Sequence, residues 1–280
     1  MKPRRFGPYR LQMRLGSGAS AEVWLARDER LVRDVALKVF RGTATVAGAA
    51  LREARTAAGL NHPNIVQLYD VLVEPGQVVF VMEYLPGGDL RRLLKSGSQH
   101  PARVVEVLLD ITSGLAAAEA AGLVHRDLAA GNVLLGADGR ARIGDFGIAI
   151  SRAASRTAAG GQLPGTRAAL SPEHYLGRAL DARSDLFCAG LLGFQLLTQR
   201  HPFWRDGALC VQTLTEQGAP SLAQERPDLP AGLALLIDTL LALDPARRPS
   251  SARDVRAVLM ELWADLPVPL QAWPPAAQKR

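Results

Sequence analysis

The sequence of 280 residues predicts an α+β fold in two lobes: a small strand-rich N-terminal lobe with one main helix, then a larger helical lobe. Three observations carry this. Runs rich in Val, Leu, Tyr and Phe, separated by turn residues, crowd into the first 85 or so residues. A Pro-Gly-Gly break at 86–88 interrupts that pattern. Beyond it, apolar residues recur at helical spacing. The expected division is an N-terminal extension at 1–8, a two-lobed domain at 9–264 (small lobe 9–85, large lobe 86–264) and a Pro-rich tail at 265–280.

The elements follow in order. "YRLQMRLG" alternates and ends at a Gly turn, and "EVWLARD" and "DVALKVF" have strand composition. The Ala-rich stretch 46–59 reads as a helix. "IVQLYDVLV" and "QVVFVMEYL" flank the turn "EPG" (74–76), so they form a hairpin. In the second lobe Val104, Leu108, Ile111 and Leu115 fall on one helical face. Leu233, Leu236, Ile237, Leu240 and Leu241 make a second stripe. Val255, Val258, Leu259 and Leu262 make a third, capped by Ser250 or Ser251. These stripes are core, and no internal repeat occurs.

Composition narrows the function classes. Hydrophobic residues make up 48% and charged residues 21%, which suits an ordinary globular core. No run approaches the roughly 18 apolar residues of a membrane span, and no signal-peptide core follows the basic N-terminus, so a cytoplasmic location is expected. Cys188 and Cys210 both lie in apolar periodic segments and read as buried, reduced thiols. The net charge of +6 and pI of about 9.8 raise nucleic acid as a partner. The basic residues are scattered and make no long run, so none is expected.

Several residues carry chemistry. Gly16 and Gly18 stand in a turn between two strands, where backbone N–H groups can approach phosphates. A dinucleotide-binding unit would need a helix next. In "DVALKVF", Ala36, Lys38 and Phe40 share one strand face, opposite Val35, Leu37 and Val39. A Lys there needs an anionic partner; Glu53 in the Ala-rich helix, or bound phosphate, can supply one. Asp127 and Asn132 lie in a loop between a helix and a strand, and Asp145 ends a second strand. Two such strands side by side bring Asn132 and Asp145 together, where Asn and Asp oxygens suit Mg²⁺. Any one of these Asp residues alone would be an ordinary loop cap.

Across residues 9–263 these motifs, in order and spacing, resemble the eukaryotic-type protein kinases, nearest the bacterial Ser/Thr kinases. The glycine loop is Gly16-x-Gly18-x-x-Ala21-x-Val23, followed by "VALK", "HRDLAAGN", "DFG" and "SPE" (171–173). "NHPNIV", "MEYLPGGDL", "RSDLFCAG" and "DPARRPS" add matches outside those motifs. The resemblance implies a bilobal protein kinase fold, ATP and Mg²⁺ as cofactors, and protein Ser/Thr hydroxyls as acceptors. It implies that Lys38 holds the α- and β-phosphates and pairs with Glu53, and that Asn132 and Asp145 hold Mg²⁺. Asp127 accepts the substrate proton. Gly16, Ser17, Gly18, Val23, Ala36 and Leu134 enclose the nucleotide; the backbone at Glu83–Leu85 meets adenine, and Met82 gates the pocket behind. Arg126 meets a phosphorylated activation segment, with Ser151, Ser155 and Thr157 as candidate sites, and Thr166 contacts the catalytic loop. Asp185 anchors that loop, and Glu173 pairs with Arg248. A transient pairing of two copies for autophosphorylation is also implied.

Four positions depart from the family's commonest pattern. Ala21 replaces the third Gly; Arg167 and Ala169 stand where Pro and Tyr are common. Ser/Thr kinases usually carry Lys at the position of Ala129, and tyrosine kinases recover a cation near Gly131. "AAG" at 129–131 has neither, a loss of about 10²–10³ in rate by the measure of a missing charge donor. Arg167, next to Thr166, is a candidate replacement. Alternatives are a pseudokinase-like nucleotide-binding scaffold, a tyrosine kinase suggested by "HRDLAA", and a small-molecule kinase.

Overall fold

The computed structural model describes residues 4–18, 21–41, 48, 51, 54, 58–146 and 170–267. A six-stranded antiparallel sheet forms the small lobe, in the order β1-β2-β3-β4-β6-β5. Its strands are β1 (Arg5–Phe6), β2 (Tyr9–Ser17), β3 (Ala21–Asp28), β4 (Arg33–Arg41), β5 (Leu68–Glu74) and β6 (Gln77–Glu83). The expected strand–turn–strand at Gly16–Gly18 is the β2–β3 hairpin, and the β5–β6 hairpin closes through Pro75–Gly76 with Glu74 opposite Gln77. Gly76 has φ +76°, which glycine adopts without steric cost. Between β4 and β5, the described positions Gly48, Leu51, Ala54 and Ala58 are helical, as their Ala-rich setting predicts.

The alternation read in "DVALKVF" is realised. Val35, Leu37 and Val39 enter a core with Phe6, Tyr9 and Val81, while Phe40 faces the opposite side with Ala54 and Phe80. Residues 5–6, placed in an extension by the sequence reading, pair with β2 instead, and Phe6 is fully buried in the lobe's core. The alternation read in β2 fails beyond Leu11. Two register shifts intervene, and Met13 and Leu15 turn outward over the cleft between the lobes.

The large lobe is helical: α1 (Arg91–Lys95), α2 (Pro101–Ala120), α3 (Pro172–Tyr175), α4 (Ala182–Thr198), α5 (Leu222–Glu225), α6 (Ala231–Leu240) and α7 (Ala252–Ala264). A two-stranded hairpin, β7 (Val133–Leu135) with β8 (Ala141–Ile143), lies at the lobe boundary, and a small hairpin, β9 (Trp204–Arg205) with β10 (Ala208–Leu209), at the rim. The faces predicted for α2 and α6 are buried as expected. α4 is buried on nearly every side, so its "LFCAGLLGF" run is a core helix. The stripe on α7 is narrower than predicted. Ala252, Val255 and Leu259 are buried, whereas Val258 is 40% exposed because it lies on the flank of that face. Ser251, not Ser250, caps α7 by accepting from Asp254 N.

Cys188 is buried in α4, where desolvation pushes its thiol up. Cys210 is partly exposed, contrary to expectation: it follows β10 at the rim, and its N–H donates to Phe203 O. Among the described residues no helix is long and apolar enough to cross a membrane.

Candidate active site

The two lobes enclose a cleft of about 810 Å³. Leu15, Gly16, Val23 and Ala36 roof it, Met82–Leu85 form its back edge, and Leu134, Asn132 and Asp145 lie on its floor. Ser17 and Gly18 stand at the exposed hairpin tip and do not line it. Leu15, Val66, Asp89 and Arg91 also line it and were not singled out from the sequence. Leu15 carried a signal, being adjacent to Gly16 on the same strand.

Lys38 reaches into this cleft from β4 and is 6% exposed. Its ammonium contacts Asp145 Oδ1 at 2.6 Å, joining the lobes through a charge-assisted bond. Glu53, its expected partner, lies outside the described residues, as do Ser151, Ser155, Thr157, Thr166, Arg167 and Ala169.

Antiparallel pairing of β7 and β8 sets Val133 opposite Ile143, and Gly144 N donates to Asn132 O at 2.7 Å. That pairing places Asn132 and Asp145 at the same end of the hairpin. The Asn132 amide donates to Asp127 O at 2.8 Å and to Asp127 Oδ2 at 3.3 Å, so its own oxygen is directed elsewhere. Asp127 N donates to His125 Nδ1 at 3.2 Å, and His125 Nε2 reaches Gly144 O at 2.9 Å. Those two bonds fix the tautomer, with the proton on Nε2. His125 also meets Phe146 edge-on at 4.6 Å, locking the two loops together.

Asp185, from α4, supports the loop from beneath. Its oxygens accept His125 N at 2.7 Å and Arg126 N at 2.8 Å. Burial pushes its carboxyl up, while these donors pull against that rise. The backbones of Arg126 (φ 66°) and Asp145 (φ 63°) are left-handed, a strain that such over-determined contacts can hold. Arg126 Nε is buried without a hydrogen-bond partner among the described residues. Glu173 and Arg248 form a bidentate pair, at 2.7 Å and 2.9 Å, with Ser184 Oγ donating to Glu173 at 2.7 Å.

A family model described as the protein kinase domain matches residues 9–263. The chain is a member of the protein kinase domain family. It is similar to a probable serine/threonine-protein kinase of Streptomyces coelicolor, 38% identical over 91% of this chain and 40% of that protein. PknL of Mycobacterium tuberculosis, a serine/threonine-protein kinase, is 36% identical over 92% of this chain and 64% of its own length. PrkC of Bacillus subtilis, another, is 32% identical over 90% and 40% respectively. The kinase domain thus spans less than two thirds of each of these relatives.

The residues fit the nucleotide and metal that this family uses. The cleft is mostly apolar between roof and floor, as a planar base requires. At its back edge Glu83 N is held by Gln67 O, whereas the buried Leu85 N–H makes no hydrogen bond among the described residues. It is a donor available to a base. Lys38 offers a cation, and Asn132 and Asp145 offer hard oxygens. Among the described residues no cluster of three or more His, Cys, Asp or Glu could hold a metal by itself. Asn132 and Asp145 are enough for Mg²⁺, which takes one or two protein oxygens and completes its shell with phosphates and water.

Proposed function

We propose that the domain is an ATP- and Mg²⁺-dependent protein serine/threonine kinase. The observation that carries this reading is the Lys38–Asp145 contact at 2.6 Å in the cleft that Asn132 also lines. When bound, the metal neutralises charge on the phosphates undergoing transfer. Lys38, supported by Glu53, orients the α- and β-phosphates, and Leu85 N with the Glu83 carbonyl positions the base. Asp127, steadied by Asn132 and His125, orients the acceptor hydroxyl and takes its proton at a side-chain oxygen. Asp185 holds the loop that presents Asp127.

Regulation belongs to the same reading. The buried Nε of Arg126, without a hydrogen-bond partner among the described residues, suits a phosphate on Ser151, Ser155 or Thr157, placed there by a second copy of the chain in a transient encounter. Protein hydroxyls are the acceptors, no nucleic acid takes part, and the domain works in the cytoplasm, where ATP is plentiful. A second reading, a nucleotide-binding scaffold, is favoured by the missing cation at Ala129 and Gly131.

Incubation with γ-labelled ATP, Mg²⁺ and a generic basic protein separates the two. The kinase reading expects label on Ser or Thr, absent from the Asp127→Asn variant. Nucleotide binding without label would leave the scaffold.

A further inference from the structure

The catalytic loop carries no cation at 129 or 131, yet one stands beside it. A Cβ added to Gly131 would lie 3.4 Å from Arg91 Cζ, 3.5 Å from Nε and 3.7 Å from Nη1. The guanidinium of α1 therefore lies over the bare backbone of the loop. Asp89 fixes its orientation: Arg91 Nε reaches both Asp89 oxygens at 3.1 Å and Nη2 reaches Oδ2 at 2.6 Å. The face of the guanidinium thus lies over Gly131, and Nη1 is left without a hydrogen bond among the described residues.

Exposure decides what this cation meets. The Lys38 side chain, deep in the cleft, is 8% exposed, whereas that of Arg91 is 66% exposed at the cleft mouth. A ligand for Arg91 arrives from solvent. Gly131, which Arg91 overlies, precedes Asn132, whose amide donates to Asp127, so that ligand passes close to the acceptor site. Arg92 lines the same rim, with Glu83 and Asp89 as the anions beside it. A carboxylate matches the planar fork of a guanidinium.

We infer that Arg91 is a specificity-determining residue that selects protein substrates with an Asp or Glu within a few residues of the acceptor Ser or Thr. The inference rests on the kinase reading above. Gly131 is part of the device, because any acidic side chain there would engage Arg91 itself.

The test uses three peptides with one acceptor Ser, flanked on both sides by Asp, by Ala or by Lys, at low ionic strength. Wild-type kcat/KM is expected to favour the Asp-flanked over the Ala-flanked peptide by about 5-fold, through KM, as for an exposed ion pair. Arg91→Ala removes the preference and Arg91→Glu turns it toward Lys. Gly131→Glu, which occupies Arg91 by another route, also removes it. The ratio is read within each protein, so a loss of folded material cancels. A wild-type preference for Lys, or ratios unchanged in both Arg91→Glu and Gly131→Glu, overturns the inference while leaving the kinase reading intact. Failure of the wild type to label any peptide or the generic protein overturns both.

Discussion

Arg248 and Glu173 show how much one buried pair can carry. Their side chains are 0% and 5% exposed, and the Arg also donates to Ala242 O, Arg183 O and Leu243 O. Burial alone would raise the Glu173 carboxyl, but bonds from Arg248 and Ser184 outweigh it and hold the value at about 2. Arg248→Ala leaves a buried carboxylate unpaired and is expected to cost about 3–5 kcal/mol in chemical denaturation. The pH dependence has a definite sign. With a folded value depressed below the ordinary 4.5, Glu173 contributes fully above pH 4.5, and the contribution is lost as pH falls toward 2. Stability curves of wild type and Glu173→Gln should therefore converge over that window; parallel curves would contradict the account. This pairing was legible only through family resemblance, since nothing local links positions so far apart. Arg91 was illegible: its neighbour Gly131 read as a missing charge, and only the fold brings α1 over the loop. The exposure of Cys210 was missed because strands of two residues are too short to show a period of their own.

At the scale of elements, β7 and β8 are the joint of the molecule. Gly87 N and Leu90 N donate to Leu135 O and Val133 O, which ties the segment after β6 to β7. Val66 N donates to Ile143 O and Ile143 N to Asn64 O, which ties β8 to the segment before β5. Arg142 adds an ion pair to Glu83 at 3.2 Å. Short strands of three residues give weak sequence signals, yet the motif residues at their ends made this hairpin visible. The helix stripes were legible from period alone on α2 and α6. On α7 they were not, because an apolar residue on a flank looks like one on the face. Packing between α4 and α6 is tight enough to test: a Cβ at Gly190 would come within 2.6 Å of Leu240 Cβ. Helix propensity favours Gly190→Ala by about 1 kcal/mol, and overpacking opposes it by about 1–3 kcal/mol. A net loss of stability is expected in denaturant titration, and a net gain would show that α6 yields freely.

The whole molecule is two lobes joined across a cleft, and Lys38 and Asp145 make a charged contact between its roof and floor. A nucleotide seated there touches both lobes, so binding should be felt as global stability. At 100 times its Kd, Mg²⁺·ATP is expected to add about 2.7 kcal/mol. For a domain of this size that raises Tm by about 5–10 °C. Lys38→Ala should shrink the shift markedly, and an equal shift in both proteins would place the nucleotide elsewhere. The two-lobed α+β architecture was legible from the crowding of strands before the Pro-Gly-Gly break. The cleft was less so, because Met13 and Leu15 are strand residues whose outward turn depends on two register shifts in β2. The central claim is that this cleft transfers phosphate to hydroxyls through Asp127. Phosphoamino-acid analysis after incubation with γ-labelled ATP tests it most directly: phosphoserine or phosphothreonine from the wild type and none from Asp127→Asn is the predicted result, and equal label from the two proteins would contradict it.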